Sequence, residues 1–221
     1  MSDGGNPSCS THNKTRTMIK PSRPLLLLIL AVCLALGNAV RHRVKYVYDG
    51  DTVQLENGQR LRYLGINAPE VRHGDRKAEH MADAARNLNR ELVLNAKVSL
   101  EYDKRRKDRY GRLLAYVFLE NGETVNNILI QKGLAHVMIN DEDIKYRALL
   151  LASQRTAIEN RIGIWRELLK TDQNSYLGNR ASHRFHKKTC RFSKEIKKIV
   201  WFKSRRDAYW EGYSPCRQCN P

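Results

Sequence analysis

The 221-residue chain is poor in acidic side chains and has no long hydrophobic run. Only 23 aspartates and glutamates stand against 40 lysines and arginines, a formal net charge of +17, so we expect an acidic polymer or an anionic surface as the partner. Hydrophobic residues make up 41% of the chain and aromatics 8%, enough for a packed core, which excludes a wholly disordered basic tail. The length argues against a large multidomain assembly.

The apolar run of residues 25–36 is too short to span a bilayer comfortably, which takes roughly 20 residues. Basic residues precede it and the small residues Gly37 and Ala39 follow it, the pattern of a secretory signal peptide. We therefore predict a signal peptide over residues 1–39 and a secreted, periplasmic or cell-surface protein. The alternative is an uncleaved membrane anchor. A start at Met18 would give a signal of more usual length.

The basic excess is concentrated at the C-terminal end of the chain. Residues 40–175 hold 24 basic and 19 acidic residues, a net charge of +5, whereas residues 176–221 hold 12 and 3, a net charge of +9. The composition changes near a polar stretch, and we predict a linker at residues 171–178. It would separate a domain of residues 40–170 from a small module of residues 179–221.

Hydrophobic periodicity and turn dipeptides predict the fold of the first domain. Asp-Gly at positions 49–50 and Asn-Gly at positions 57–58 are hairpin signals. The predicted strands are residues 44–47, 52–55, 60–66, 98–102 and 113–119, and the predicted helices are residues 78–94, 125–132 and 144–162. This order predicts an α+β fold that is mainly β: a five-stranded OB-fold barrel with inserted and C-terminal helices.

Carboxylates and arginines occur at the predicted turns of this barrel. In a closed barrel, Asp49 and Asp51 would converge with the loop of residues 67–70, and these oxygens are the hard ligands that calcium takes. Arg62 enters that loop and Arg112 follows another turn. Two guanidinium groups and a divalent ion around a carboxylate suit phosphodiester hydrolysis. Taken singly, each motif is also explained by a turn or a solvent-exposed charge.

Five motifs follow one another between residues 44 and 165. They are Asp49-Gly50-Asp51-Thr52, residues 62–70 (RYLGINAPE), residues 108–116 (DRYGRLLAY), Gly133-Leu134-Ala135 and Gly163-Ile164-Trp165. The series resembles the ordered motifs of the staphylococcal nuclease (thermonuclease) family. The resemblance implies an OB-fold endonuclease that depends on calcium, cuts DNA and RNA with little sequence preference and leaves 3′-phosphates. We expect no obligate protein partner.

The resemblance also implies roles for single residues. Glu70 would be the general base that positions a water, and Arg62 and Arg112 would hold the scissile phosphate. Tyr110 would help to hold a nucleotide phosphate.

The implied calcium ligands are Asp51, its carboxylate neighbour Asp49, and Asn67. Asn67 departs from the family pattern, because an amide stands where the family has a second carboxylate, and the loss of one negative charge predicts weaker calcium binding. Ile139 replaces a family aromatic, which predicts reduced base stacking.

Two other function classes remain open from the sequence. The amide at Asn67 is the feature that favours a catalytically inactive OB-fold nucleic-acid-binding protein. The positive charge also fits adhesion to anionic lipid or cell wall. The salt dependence of DNA binding would distinguish this class from nucleic-acid binding.

The C-terminal module has its own ligand pattern. His186 and Cys190 are followed about 25 residues later by Cys216 and Cys219, two close pairs typical of a closed tetrahedral structural zinc site. A metal would stabilise a module with so small a core. The alternative is a disulfide between Cys216 and Cys219 with the third cysteine free.

Four stretches around these ligands resemble the zinc-binding domain of the Ada DNA-methylation-repair protein. They are residues 176–179, 185–190, 202–204 and 212–221. In that domain four cysteines bind zinc and one accepts a methyl group. His186 stands at the position that we associate with the acceptor, so the resemblance implies a zinc-bound basic module that tethers DNA, without methyl transfer.

Overall fold

The computed structural model describes residues 40–139, 145–170 and 174–221. Residues from Val40 to Pro221 form one compact unit. The predicted signal peptide lies outside the described residues. Within the described part of the chain, no helix is both long enough and apolar enough to cross a membrane.

The chain alternates short strands with short helices. The strands are β1 (Arg41–Val47), β2 (Thr52–Leu55), β3 (Arg60–Tyr63), β4 (Ile66–Asn67), β5 (Lys97–Glu101), β6 (Leu113–Phe118), β7 (His136–Val137), β8 (Tyr176–Asn179), β9 (Arg184–Lys187), β10 (Ile199–Phe202) and β11 (Ser214–Pro215). The α-helices are α1 (Ala82–Val93), α2 (Val125–Gln131), α3 (Arg147–Glu159), α4 (Trp165–Leu168) and α5 (Arg205–Trp210). A 3-10 helix covers Arg191–Glu195.

Five of these strands close into a barrel in the order β1-β2-β3-β6-β5. Strands β3 and β6 run parallel, and the other neighbours in the barrel are antiparallel. Both predicted hairpin turns occur: Tyr48 donates its N–H to the Thr52 carbonyl, and Gly58 takes a φ of 84°. Apolar side chains such as Val53, Leu61 and Tyr116 fill the barrel. The predicted mainly β, five-stranded barrel is confirmed.

The helices are shorter than their hydrophobic periodicity predicts. Helix α1 begins at Ala82 and not at residue 78, because Met81 is left-handed, with a φ of 67°. Helix α3 ends at Glu159, two residues before Arg161, which is also left-handed. Residues 140–144, where this helix was predicted to begin, lie outside the described residues.

A two-stranded ribbon connects the barrel to the chain after α2. The strand predicted over residues 60–66 is interrupted, because Gly65 adopts a φ of 78° and turns the chain. Strand β4 then pairs with β7, with Asn67 opposite His136. Ile139, which stands where the family has an aromatic, lies beyond the end of β7 and is fully buried in the hydrophobic core.

The C-terminal part forms a four-stranded sheet in the order β10-β8-β9-β11. Strand β8 begins at Tyr176, inside the stretch predicted as a linker. Helix α5 follows Ser204, whose hydroxyl accepts the Asp207 N–H, and Gly212 follows its end with a φ of 80°. One face of the sheet packs against α3 and α4 in a second hydrophobic cluster that includes Trp165 and Tyr209.

Candidate active site and metal cluster

The turn between β1 and β2 holds two carboxylates in a fixed arrangement. Asp49 Oδ1 accepts the N–H of Asp51 at 2.9 Å, and the Asp49 carbonyl accepts Asn89 Nδ2 at 2.9 Å. Gly50 lies against two alanine side chains, since a Cβ built on it would be 2.6 Å from the Cβ of Ala68 and 2.7 Å from the Cβ of Ala85. The glycine therefore lets the turn approach the loop after β4.

Asp51 forms a buried ion pair with Arg62, 2.7 Å from Oδ2 to Nη1, and both side chains are under a tenth exposed. The same Oδ2 accepts the Ala68 N–H at 2.6 Å, and Oδ1 accepts the Thr52 hydroxyl at 3.1 Å. Burial raises the pKa of Asp51 to about 7, with the neighbouring Asp49 adding to the rise, although Arg62 lowers it. A divalent cation beside this carboxyl would favour its ionised form.

Asn67 joins the same group of side chains from strand β4. Its Oδ1 accepts Arg62 Nη2 at 2.9 Å, and its Nδ2 lies 3.3 Å from His136 Nε2. The carboxylates of Asp49 and Asp51 and this amide supply hard oxygen donors of the kind that calcium binds. The residues present therefore fit a calcium ion.

Glu70 lies on an exposed loop after the ribbon strand β4. Its N–H donates to Glu79 Oε2 at 3.0 Å, and the Glu79 N–H donates to the Glu70 carbonyl at 2.9 Å. These two bonds hold the loop backbone and leave the carboxylate of Glu70 at the surface. They do not connect Glu70 to Arg62 or to the metal ligands predicted from the sequence.

Arg112 is held by Asp108 just before β6. Its Nε and Nη2 donate to Asp108 Oδ2 at 2.8 and 2.7 Å, and Asp108 Oδ1 accepts the N–H groups of Tyr110 and Arg112. Burial alone would raise the pKa of Asp108, but these hydrogen bonds outweigh it and lower the pKa. The exposed Tyr110 ring lies 5.6 Å from the Arg112 guanidinium carbon.

The structure thus joins Asp49, Asp51, Arg62 and Asn67 directly, and it places Glu70 and the Arg112–Tyr110 turn on separate segments. Sequence reasoning missed two residues that contact the predicted site residues: Asp108, which holds Arg112, and His136, which contacts Asn67. The contact of Asp108 with Arg112 could have been predicted from the sequence, since Asp108 begins the turn that ends at Arg112. No sequence pattern indicated the contact of His136, because its partner Asn67 is 69 residues away.

The second candidate site is the predicted cluster of His186, Cys190, Cys216 and Cys219. One ligand atom from each residue lies within 4.8 Å of the others, and Cys190 Sγ is 3.5 Å from His186 Nδ1. Ligands of tetrahedral zinc lie roughly 3.3–3.8 Å apart, given metal–ligand bonds of about 2.0–2.3 Å. The four residues therefore fit one zinc ion.

The thiols of this cluster influence one another. All three cysteines are free, and no disulfide joins Cys216 to Cys219. Burial opposes ionisation of Cys216, but the N–H groups of Cys219 and Gln218 outweigh it and lower its pKa. Burial and the neighbouring Cys190 raise the pKa of Cys219 to about 11. A bound zinc ion would favour the thiolate form of each ligand.

Comparison with known proteins identifies the barrel. A family model described as "Staphylococcal nuclease homologue" matches residues 60–167. The thermonuclease of Staphylococcus intermedius is 38% identical over 125 residues, 55% of this chain and 74% of that protein. The chain belongs to the staphylococcal nuclease family. The thermonuclease of Staphylococcus hyicus is 34% identical over 135 residues, 60% of this chain and 79% of its own length.

The endonuclease YncB of Bacillus subtilis is also similar, at 34% identity over 137 residues, 60% of this chain and 62% of the relative. These relatives support a nuclease, a hydrolase that acts on nucleic acid. The staphylococcal nuclease match ends at residue 167, so the Cys/His cluster lies beyond it. The resemblance of that segment to the Ada zinc-binding domain stays a prediction, with which the cluster agrees.

Proposed function

We propose that this protein is an exported, calcium-dependent endonuclease of the thermonuclease type that hydrolyses DNA and RNA with little sequence preference. The observation that carries the proposal is the buried group of Asp51, Arg62 and Asn67, in which a guanidinium is held between two oxygen ligands. This arrangement places positive charge and metal-binding oxygens side by side, as stabilisation of a phosphodiester transition state requires.

Each residue of the site has a distinct task in this mechanism. Glu70 takes a proton from the water that attacks phosphorus, the bond from phosphorus to the 5′ oxygen breaks, and that oxygen takes a proton from solvent. Arg62 and Arg112 donate hydrogen bonds to the phosphate oxygens on which charge accumulates. Tyr110, beside Arg112, holds a substrate phosphate. Asp49, Asp51 and Asn67 would hold calcium. When bound, the ion supplies further positive charge to the phosphate.

Cleavage of single-stranded DNA against added calcium tests the proposal, with a chelated control. We expect activity to rise with calcium and to fall by about 10²–10⁴-fold in Glu70→Gln, since a general base contributes about that much. Glu56→Gln, which changes another exposed glutamate, is the matched control and should keep full activity. Activity in Glu70→Gln equal to the unmodified protein would refute the role of Glu70.

One observation favours a second function. The amide of Asn67 carries no charge, and its oxygen already accepts a hydrogen bond from Arg62. An OB-fold nucleic-acid-binding protein without catalysis is therefore the alternative. Binding of DNA with no cleavage at any calcium concentration would establish it.

We further propose that the C-terminal cluster binds structural zinc and that the Ada-like module tethers nucleic acid. The support is a surface that we call the aromatic face, formed by Trp201, Ile199 and Lys188. Trp201 is 62% exposed, and Lys188 Nζ lies 5.5 Å from its ring centroid. Aromatic faces beside cations bind single-stranded nucleic acid by stacking and by charge.

Export and the division into residues 40–170, a linker of residues 171–178 and a module of residues 179–221 are also part of this proposal. N-terminal sequencing of the mature protein tests export. A first residue of Val40 would support cleavage after Ala39, and an intact N-terminus in a membrane fraction would indicate the anchor instead.

A further inference from the structure

One histidine that the proposed chemistry does not use contacts the site. His136 lies on β7 opposite Asn67 on β4, and its side chain is buried. Its two ring nitrogens have different neighbours: Nδ1 is 3.0 Å from the Val137 carbonyl, and Nε2 is 3.3 Å from Asn67 Nδ2.

These neighbours determine which ring nitrogen carries the proton. A carbonyl oxygen only accepts hydrogen bonds, so Nδ1 must donate to Val137. In the neutral ring, Nε2 is then without a proton and accepts, and the group facing it must be a donor. The NH2 group of Asn67 is that donor.

This bond also helps to orient the amide, together with a longer one of 3.4 Å from Asn67 Nδ2 to the Ala68 carbonyl. An asparagine side chain has an oxygen and a nitrogen of nearly equal size, and its hydrogen bonds decide which one faces a given side. With Nδ2 directed to His136, Oδ1 of Asn67 faces Arg62 at 2.9 Å. The opposite orientation would direct an NH2 group at a guanidinium, donor against donor.

We propose that His136 is a positioning residue that directs the Asn67 oxygen toward the calcium site. The inference rests on the proposed function, because it assumes that Asn67 is a calcium ligand. The family's carboxylate would have two equivalent oxygens and would need no such partner, whereas an amide in its place binds a cation through only one of its two ends.

The C-terminal segment holds His136 in place. Ser214, two residues before a cluster cysteine, donates its hydroxyl to the Val137 carbonyl at 3.1 Å. Gln154 accepts the Val137 N–H at 2.6 Å and donates to the Tyr209 carbonyl at 2.5 Å. The Tyr209 ring meets that of His136 edge to face at 5.4 Å. Residues near the Cys/His cluster thus help to hold the histidine that contacts Asn67 on the β4–β7 ribbon.

Calcium affinity of the full-length protein, measured by isothermal titration calorimetry, tests the inference. We expect His136→Leu to weaken calcium binding by about 10–100-fold, the usual cost of losing the partner of a metal ligand. His136→Gln offers an acceptor oxygen and should recover most of the affinity. Equal affinity in His136→Leu and the unmodified protein would overturn the proposal.

A double-mutant cycle separates orientation of the amide from general stability. In the Asn67→Asp background either oxygen can face the cation, so His136→Leu should cost much less affinity than it costs beside Asn67. A cost of the same size in both backgrounds would show that His136 supports the fold and does not orient the amide.

Nitrogen-15 NMR of the unmodified protein provides a readout that needs no variant. We expect the His136 imidazole to carry its proton on Nδ1 and to accept the Asn67 amide at Nε2. A proton on Nε2 would overturn the proposal even if His136→Leu failed to fold. Absence of calcium binding by the unmodified protein would instead refute the proposed function, so the two failures are distinguishable.

Discussion

At the scale of single residues, the two arginines assigned to the phosphate differ in how they are held. Arg62 is paired with Asp51 inside the protein, with 7% and 5% of the side chains exposed, whereas Arg112 is 28% exposed and its partner Asp108 15%. Breaking the buried pair would leave an uncompensated charge in the interior. The outer pair can be tested with less risk to the fold.

We expect Asp108→Asn to lower cleavage of DNA and to destabilise the protein modestly. An amide still accepts the N–H groups of the turn, but it no longer holds the Arg112 guanidinium by charge. Hydrogen bonds to charged groups contribute about 1.5–3 kcal/mol, so urea denaturation at pH 7 should show a loss of about 2 kcal/mol. The control is Asp83→Asn, which breaks an exposed pair with Arg86 and should change neither quantity.

The same variant should remove part of the acid sensitivity of the fold. The pKa of Asp108 is lowered in the folded protein, so its contribution is complete above the unfolded value of about 3.9 and is lost as the pH falls through the lower folded pKa. Urea denaturation at pH 7 and pH 3 measures this contribution. We expect the difference in unfolding free energy between Asp108→Asn and the unmodified protein to be smaller at pH 3. An equal difference at both pH values would contradict a stabilising role for the Asp108 charge.

At the scale of elements, the sequence predicted structure that adjacent residues determine, but it did not predict pairings between distant segments. The Asp-Gly and Asn-Gly dipeptides predicted the β1–β2–β3 hairpins because a turn is encoded by adjacent residues. The β4–β7 ribbon has two residues on each side, too few for a period, and pairs Asn67 with His136. The motif series therefore indicated Asn67 as a site residue, but no pattern in the sequence could indicate its partner.

Two glycine motifs from the family resemblance meet where α2 ends and α4 begins. Gly133 and Gly163 both take positive φ, and the N–H of Ile164 donates to the Gly133 carbonyl at 2.9 Å. A Cβ on Gly163 would be 2.2 Å from the carbonyl oxygen of Gly133. This close backbone approach excludes any side chain at the crossing.

We expect Gly163→Ala to lower the free energy of unfolding by several kcal/mol. The new Cβ would push the Gly133 backbone away, and the alanine would also be strained by the positive φ of this position. Gly122→Ala is the matched control, since Gly122 has a φ of 84° but nothing within 4 Å of a built Cβ. Its cost should be near 1–2 kcal/mol, the strain of the left-handed conformation alone. Urea denaturation of both variants compares them, and equal costs would contradict the role of the crossing.

At the scale of the whole molecule, the C-terminal segment shares a core with the nuclease helices. The Trp165 ring packs edge to face on Tyr209 at 5.0 Å, and Ala157 and Ile158 of α3 belong to the same cluster. A metal that holds β9 and the chain after β11 together would therefore stabilise more than the small module.

We expect one zinc ion per chain by elemental analysis and a lower thermal midpoint when it is removed. A loss of about 2 kcal/mol would lower the midpoint by about 4–8 °C in a protein of this size. Cys219→Ser should show the lower midpoint without treatment, and a zinc chelator should then have no further effect. A calcium-selective chelator is the control for the unmodified protein, and an unchanged midpoint after zinc removal would refute the structural role.

The proposed nucleic-acid-binding surface of the C-terminal segment is the aromatic face, in the part of the chain that carries a net charge of +9. The aromatic face lies on the side of the sheet that carries His186 of the Cys/His cluster, since Trp201 is opposite Leu177 and Leu177 is opposite His186. Stacking and charge on this face can be separated, because one depends on a ring and the other on Lys188.

In the Glu70→Gln background, in which we expect slow cleavage, Trp201→Leu should weaken binding of a single-stranded oligonucleotide by about tenfold or more, since one stacked base contributes about 1–3 kcal/mol. Trp201→Phe keeps a ring and should retain most of the affinity, whereas the leucine keeps only apolar area.

Fluorescence anisotropy at several salt concentrations measures both contributions to binding, stacking on the ring and the charge of Lys188. Lys188→Gln should reduce the slope of log affinity against log salt by about one, and Trp201→Leu should leave it unchanged. Equal affinities for Trp201→Leu and Trp201→Phe would show that bases do not stack on this face, and the module would then act through zinc and the shared core alone.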